Sequence, residues 1–132
     1  MKKHNSVFEG IYRVYNDKIH NTLNFESKES KKIKSICTGS VHLARFDKVW
    51  KHCILIYSKE ENLFYFYHNM QNDSGCYLGQ KIQEGDTLNI GDKVNLKIFE
   101  RCICTPIDNY YGYLNLEGNG KKILSDGIYF GG

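Results

Sequence analysis

At 132 residues, with 41% hydrophobic and 14% aromatic side chains, the chain suits a single β domain over residues 1–132 and is too short for two cores. No apolar run approaches the ~18 residues of a membrane-spanning helix, and Met1-Lys2-Lys3-His4-Asn5 is not followed by the apolar stretch of a signal peptide, so a cytoplasmic location is expected. The net charge of +3 is uneven: residues 1–34 hold eight Lys or Arg against four acids, while residues 35–132 hold ten against eleven, which speaks against a uniformly basic nucleic-acid binder.

The pattern along the chain is β throughout. Val7-Phe8-Glu9-Gly10-Ile11-Tyr12-Arg13-Val14-Tyr15 is rich in β-branched and aromatic residues and runs into the turn pair Asn16-Asp17, which predicts a strand and a turn. Strands are predicted next over 20–25 and 33–37, and the charged segment Lys28-Glu29-Ser30-Lys31-Lys32 between them reads as a solvated hairpin tip. Further strands are predicted over 41–46, 49–57 and 63–68; Cys53-Ile54-Leu55-Ile56, apolar on both faces, belongs in the middle of a sheet. Phe46 to Lys51 allows one short helical turn.

After these come predicted strands over 76–82, 93–104, 110–116 and 128–130. Within the second, Leu96 and Ile98 point one way and Asn95 and Lys97 the other, the mark of a half-buried strand. Pro106 is expected to end that strand and Glu117-Gly118-Asn119-Gly120 to form a turn. Many short strands at this spacing predict an all-β, mostly antiparallel β-sandwich or small barrel.

The chemistry-bearing residues are sparse. The five cysteines, Cys37, Cys53, Cys76, Cys102 and Cys104, are odd in number and lack disulfide-framework spacing, so buried free thiols in a reducing compartment are expected. Cys102-Ile103-Cys104 puts two thiols on one strand face, but the spacing is not that of a zinc knuckle, and neither a metal nor a cofactor is expected. His52 and Cys53 are neighbours on one strand and point to opposite faces, so they form no dyad. Cys76, beside Gly75, is the candidate exposed thiol, with His68 as its candidate base across a hairpin. Walker, Rossmann and Gly-x-Ser-x-Gly patterns are absent from the sequence. Aromatic residues are concentrated in Leu63-Phe64-Tyr65-Phe66-Tyr67-His68 and Asn109-Tyr110-Tyr111-Gly112-Tyr113, where rings on one face build core and rings on the other can stack on bases or hold a peptide.

The order of segments from about residue 33 to 99 resembles a forkhead-associated (FHA) domain, a β-sandwich in which a Ser-x-Asn-Gly-Thr loop leads to a short strand and a Gly-Asp turn. Asp73-Ser74-Gly75-Cys76-Tyr77-Leu78-Gly79-Gln80-Lys81-Ile82 matches the loop and short strand, and Glu84-Gly85-Asp86 the turn. Val49-Trp50-Lys51-His52 stands where the family has Ser-Arg-x-His, and Ile36-Cys37-Thr38 where it has Ile-Gly-Arg. The resemblance implies phosphopeptide binding, but Thr38, Val49 and Trp50 replace the residues that hold phosphothreonine in that family. Only His52, similar to a structural residue there, is kept. The standard phosphothreonine site is therefore expected to be absent, or rebuilt from the cationic heads of Arg45, Lys48 and Lys51, and any binding by the loop rests on Asn72, Asp73 and Ser74 at its tip.

Three functions follow as expectations. The first is a non-enzymatic module that engages a protein partner through its loops. The second is a small β-barrel that binds nucleic acid or a nucleotide with Lys28, Lys31, Lys32, Lys34, Tyr65, Tyr67, Tyr111 and Tyr113. The third is a thiol enzyme working through Cys76 or Cys53. The first is preferred. Richness in Lys, Asn, Ile and Tyr suggests an AT-rich genome, such as that of a virus or phage whose small proteins inhibit host factors in the host cytoplasm.

Overall fold

The computed structural model describes residues 2–4, 7–17, 19, 22–108, 113–120 and 128–130, with residues 2–4, 16, 100–108, 113–120 and 128–130 described as backbone alone. The described residues form ten strands and no helix: β1 (Lys2–His4), β2 (Arg13–Asp17), β3 (Thr22–Lys34), β4 (Gly39–Asp47), β5 (Lys51–Ser58), β6 (Leu63–Met70), β7 (Lys81–Ile82), β8 (Thr87–Asp108), β9 (Tyr113–Gly120) and β10 (Ile128–Phe130). β1 and β10 pair in parallel. The others make an antiparallel sheet in the order β2-β3-β8-β6-β5-β4-β7, with β9 added to β8. The all-β, antiparallel class is the one predicted, and a single sheet bends round one core. The β3–β8 ladder, which reaches Lys34 opposite Thr87, runs on into the β3–β4 link and the β7–β8 turn, where Gly85 N donates to Ser35 O and Ser35 N to Asp86 O, both at 2.8 Å.

The inner face follows the period of two. Leu23 and Phe25 of β3, Ile54 and Ile56 of β5, Tyr65 and Tyr67 of β6, and Val94, Leu96 and Ile98 of β8 are buried together with Val7 and Phe8. On the outer face Cys53, Leu55, Phe66 and Phe99 form a second buried cluster, against which Leu43, Trp50 and Phe64 pack. β5 carries apolar residues into both clusters, as its sequence predicts for a central strand. Gly39 is required by close approach: a Cβ there would lie 2.1 Å from the Tyr57 carbonyl oxygen on the neighbouring strand.

Several boundaries differ from expectation. Lys28 to Lys32 is no hairpin tip but part of β3, which continues to Lys34 past a register shift between Glu26 and Lys31. The strand survives because Lys31 Nζ donates to the Glu9 and Ile11 carbonyls and Lys34 pairs with Glu9, tying it to the preceding segment. Accordingly Val7 to Ile11 is a bend, not the start of a strand. Cys76 to Gln80 is loop, leaving only Lys81–Ile82 as β7. The backbone of β8 passes Pro106, and the expected turn at 117–120 lies within β9, where Gly120 faces Phe99. The segment from Phe46 to Lys51 is a hairpin turn.

Candidate functional site

The β4–β5 hairpin is built around one carboxylate. Asp47 is buried, and its Oδ2 accepts the N–H groups of Val49 at 2.8 Å and Trp50 at 2.9 Å, the Asx-type turn for which aspartate is suited. Lys51 follows with φ of 63°. Across on β6, Asn69 takes φ of 62°, a conformation Asn tolerates, and its N–H reaches the Trp50 carbonyl at 2.7 Å. This irregularity coincides with the register shift between β5 and β6. Trp50 is thus held at both ends of its peptide unit, with its ring over the outer face of the sheet.

Beneath it lies a polar row that no single segment contains. Tyr15 of β2 faces Asn24 of β3, Asn24 faces Asn95 of β8, and Asn95 faces His68 of β6. Trp50, Asn24, Asn95 and His68, with Val49, Asn69 and Lys97, line a recess of about 270 Å³. The Trp50 and His68 rings meet edge-on at 5.0 Å, Phe66 stacks on His68 at 5.1 Å, and the Lys97 ammonium lies 5.7 Å from the Trp50 ring centre.

The electrostatics of this recess are unusual for a surface feature. Burial, reinforced by the nearby Lys97 charge, pushes the His68 imidazole down to about 3, so the ring is neutral at physiological pH. Burial also lowers Lys97, opposed by Asp17. Three lining side chains have a polar atom that is sealed from solvent and hydrogen-bonded to nothing: Trp50 Nε1, His68 Nε2 and Asn24 Oδ1. Such atoms are rare in folded proteins, since each costs roughly 1–3 kcal/mol.

A larger recess of about 420 Å³ lies beside the Asn72-Asp73-Ser74 loop. The side chains of Asn72, Asp73, Ser74 and Asn89 are already engaged there. Asn72 Nδ2 donates to Ile90 O and Asn89 Nδ2 to Asn72 O, each at 2.7 Å, while Asp73 and Ser74 accept the N–H groups of Gly75 and Cys76. These bonds shape the loop. The smaller recess, walled by Trp50 and Lys97, offers a ligand the aromatic and cationic surface that the larger one lacks.

The expected site residues separate. Arg45, Lys48 and Lys51 sit on the β4–β5 hairpin, where Arg45 Nε donates to Phe46 O and Lys51 Nζ to Lys48 O. The Asn72 loop follows Met70, which faces His52, so both groups occupy the same end of the sheet, and Phe46 and Val49 add exposed apolar surface there. Tyr65 and Tyr67, proposed above to stack on bases, are corrected: both are in the core. There Tyr65 bonds Glu61, and Tyr67 accepts the Ile36 N–H at 3.1 Å. Lys31 and Lys34 are tied to residues 9–11, while Lys28 and Lys32 are exposed. Tyr111 lies outside the described residues, and Tyr113 is described as backbone alone. The Cys76–His68 pair is not formed: the Cys76 thiol, pushed up by burial, donates to Leu88 O at 3.8 Å, and His68 lies under Trp50. Among the described residues no group of three or more His, Cys, Asp or Glu gathers.

No family model and no curated protein matches the chain. Solved structures do. The chain is similar to CbpA from L. salivarius REN (TM-score 0.52, 18% identity, 70% of this chain and 67% of that one). It is also similar to Helicobacter pylori Csd3 (TM-score 0.56, 13% identity), where 89% of this chain spans only 38% of the longer protein. A third similarity is to a structure of the SpoIIQ–SpoIIIAH pore-forming complex (TM-score 0.52, 12% identity, 94% of this chain and 87% of that one). Likeness at this level of identity is likeness of fold.

Proposed function

We propose that the protein is a non-enzymatic binding module that engages a protein partner at the end of the sheet capped by the β4–β5 hairpin. The observation that carries this reading is Trp50 walling a polar recess beside exposed Phe46 and Val49. A recess kept for stability alone would gain by replacing the sealed polar groups of Trp50, His68 and Asn24 with apolar ones, so their presence favours a role beyond stability. Tryptophan at the rim of a polar recess is the kind of residue on which binding energy concentrates. That a neighbour in fold belongs to a two-protein complex agrees with the reading.

Among the described side chains the candidate rings Tyr65 and Tyr67 are buried away from Lys28 and Lys32, which does not favour nucleic acid, and a raised Cys76 thiol that bonds Leu88 O instead of His68 does not favour thiol catalysis. The test is affinity capture from native extract with wild type, Val49→Asp and Trp50→Ala as bait, at low and high salt, with nuclease or phosphatase arms. A partner retained by wild type at high salt and lost by both variants is expected. Binding lost on nuclease treatment or on raising salt would overturn the proposal in favour of nucleic acid. Loss on phosphatase treatment would return the phosphopeptide contact to Arg45, Lys48 and Lys51.

A further inference from the structure

Among the described residues β2 is the terminal strand of its sheet, with β3 on one side and no strand on the other. Exposed apolar residues crowd its surroundings: Ile11 is 90% exposed, Ile19 91%, and Val14 and Tyr15 each more than a third. An open edge of this kind invites another strand. What occupies it is indicated by the order of side chains in Arg13-Val14-Tyr15-Asn16-Asp17.

Opposite Glu26 and Asn24 of β3, Arg13 and Tyr15 share one face of the sheet with Asp17, and Val14 takes the other. A second copy laid antiparallel along this edge, related by a two-fold axis through Tyr15, sets Arg13 opposite the partner's Asp17 and the partner's Arg13 opposite Asp17. Tyr15 meets its own copy. Directly opposed side chains in such a pair stand about 4.5–5.5 Å apart, within reach of an ion pair. It is also the register that pairs all five residues of the strand while keeping each side chain on its face. Ile11 and Ile19, exposed and flanking the strand at either end, add apolar surface beside the contact. Both groups are already engaged within the chain, Arg13 with Glu26 and the Tyr15 ring at 5.5 Å and Asp17 beside the recess it lines with Lys97, but a guanidinium with 71% of its side chain exposed and a carboxylate with several acceptor sites can each take a second partner.

We propose that the protein self-associates through β2, forming a two-fold dimer whose sheet is continuous across the pair and whose register is set by reciprocal Arg13–Asp17 contacts. A contact of five strand residues with the flanking isoleucines is small, so the dissociation constant is expected on the order of 100 μM rather than nanomolar.

Sedimentation of the full chain from about 1 μM to about 1 mM tests this directly. A monomer–dimer equilibrium is expected in wild type. Asp17→Arg alone and Arg13→Asp alone each place like charges opposite one another twice, and each should weaken dimerisation at least about tenfold. Mixing the two variants, whose charges are complementary, should restore the dimer as a heterodimer. Ile11→Asp, at a fully exposed position, provides a weakening variant that leaves the fold of β2 alone, and thermal melting checks all of them. A wild type monomeric at about 1 mM, a dimer indifferent to these changes, or variants that fail to pair on mixing would each overturn the proposal.

Discussion

Tyr67 and His68 are neighbours on β6 that point to opposite faces of the sheet, and both are buried. On the inner face Tyr67 is accommodated as polar groups in a core normally are: its hydroxyl accepts the Ile36 N–H, with Ser35 and Cys37 close by, and burial pushes its ionisation far above the usual tyrosine range. On the outer face His68 Nε2 and the adjoining Trp50 Nε1 bond to nothing. Equal burial with unequal satisfaction separates a side chain kept for stability from one whose polar atom has a cost that stability does not explain. The two faces should therefore respond to substitution with opposite sign.

The largest effect is expected in acid. An unfolded chain protonates His68 near pH 6.5, the folded one only near 3, so the unfolded state binds more protons between these values and stability falls as pH drops through that window. The loss attributable to this ring is on the order of a few kcal/mol by pH 3. Denaturant unfolding of wild type and His68→Phe side by side should show it as a difference in slope; parallel pH profiles would mean that His68 is protonated in the fold.

At neutral pH the comparison sharpens to a change of sign. Tyr67→Phe leaves a buried N–H without its acceptor and should cost about 1–3 kcal/mol, whereas His68→Phe removes an unpaired atom from an aromatic cluster and should be neutral or stabilise by about 1 kcal/mol. If His68→Phe destabilises as much as Tyr67→Phe, the outer face is ordinary core. A smaller effect, about 1 kcal/mol, is expected for Asp47→Ala, which releases the Val49 and Trp50 N–H groups. Its influence on partner capture should exceed its influence on melting, because it frees the hairpin that positions Trp50.

The strands were legible where one residue type settled the face. The apolar run at 53–56 implies a central strand, and β5 lies between β4 and β6; the alternation of Asn95, Leu96, Lys97 and Ile98 implies one buried face, and that face is inward. The aromatic run at 64–67 misled for a related reason. A strand covered on both sides reads the same whichever ring faces the core, and Tyr65 and Tyr67 proved to be the inward pair. Long β3 was hidden because five charged or polar residues in succession look like a turn until the partners of Lys31 and Lys34 are known. The polar row was beyond sequence reasoning altogether, since Asn24, His68 and Asn95 come from three distant strands and meet only through register. The one local signal was the single tryptophan, set in a turn after Asp47, where an exposed strand end would more often carry a small polar residue.

That same uniqueness gives the molecule an optical property. Every photon of tryptophan emission comes from the indole that walls the recess, between an imidazole edge and an ammonium. With excitation at the red edge, where tyrosine does not absorb, its colour and intensity report the polarity and occupancy of that one spot, undiluted by any second indole, so engagement of the hairpin can be followed in the untagged protein by light alone.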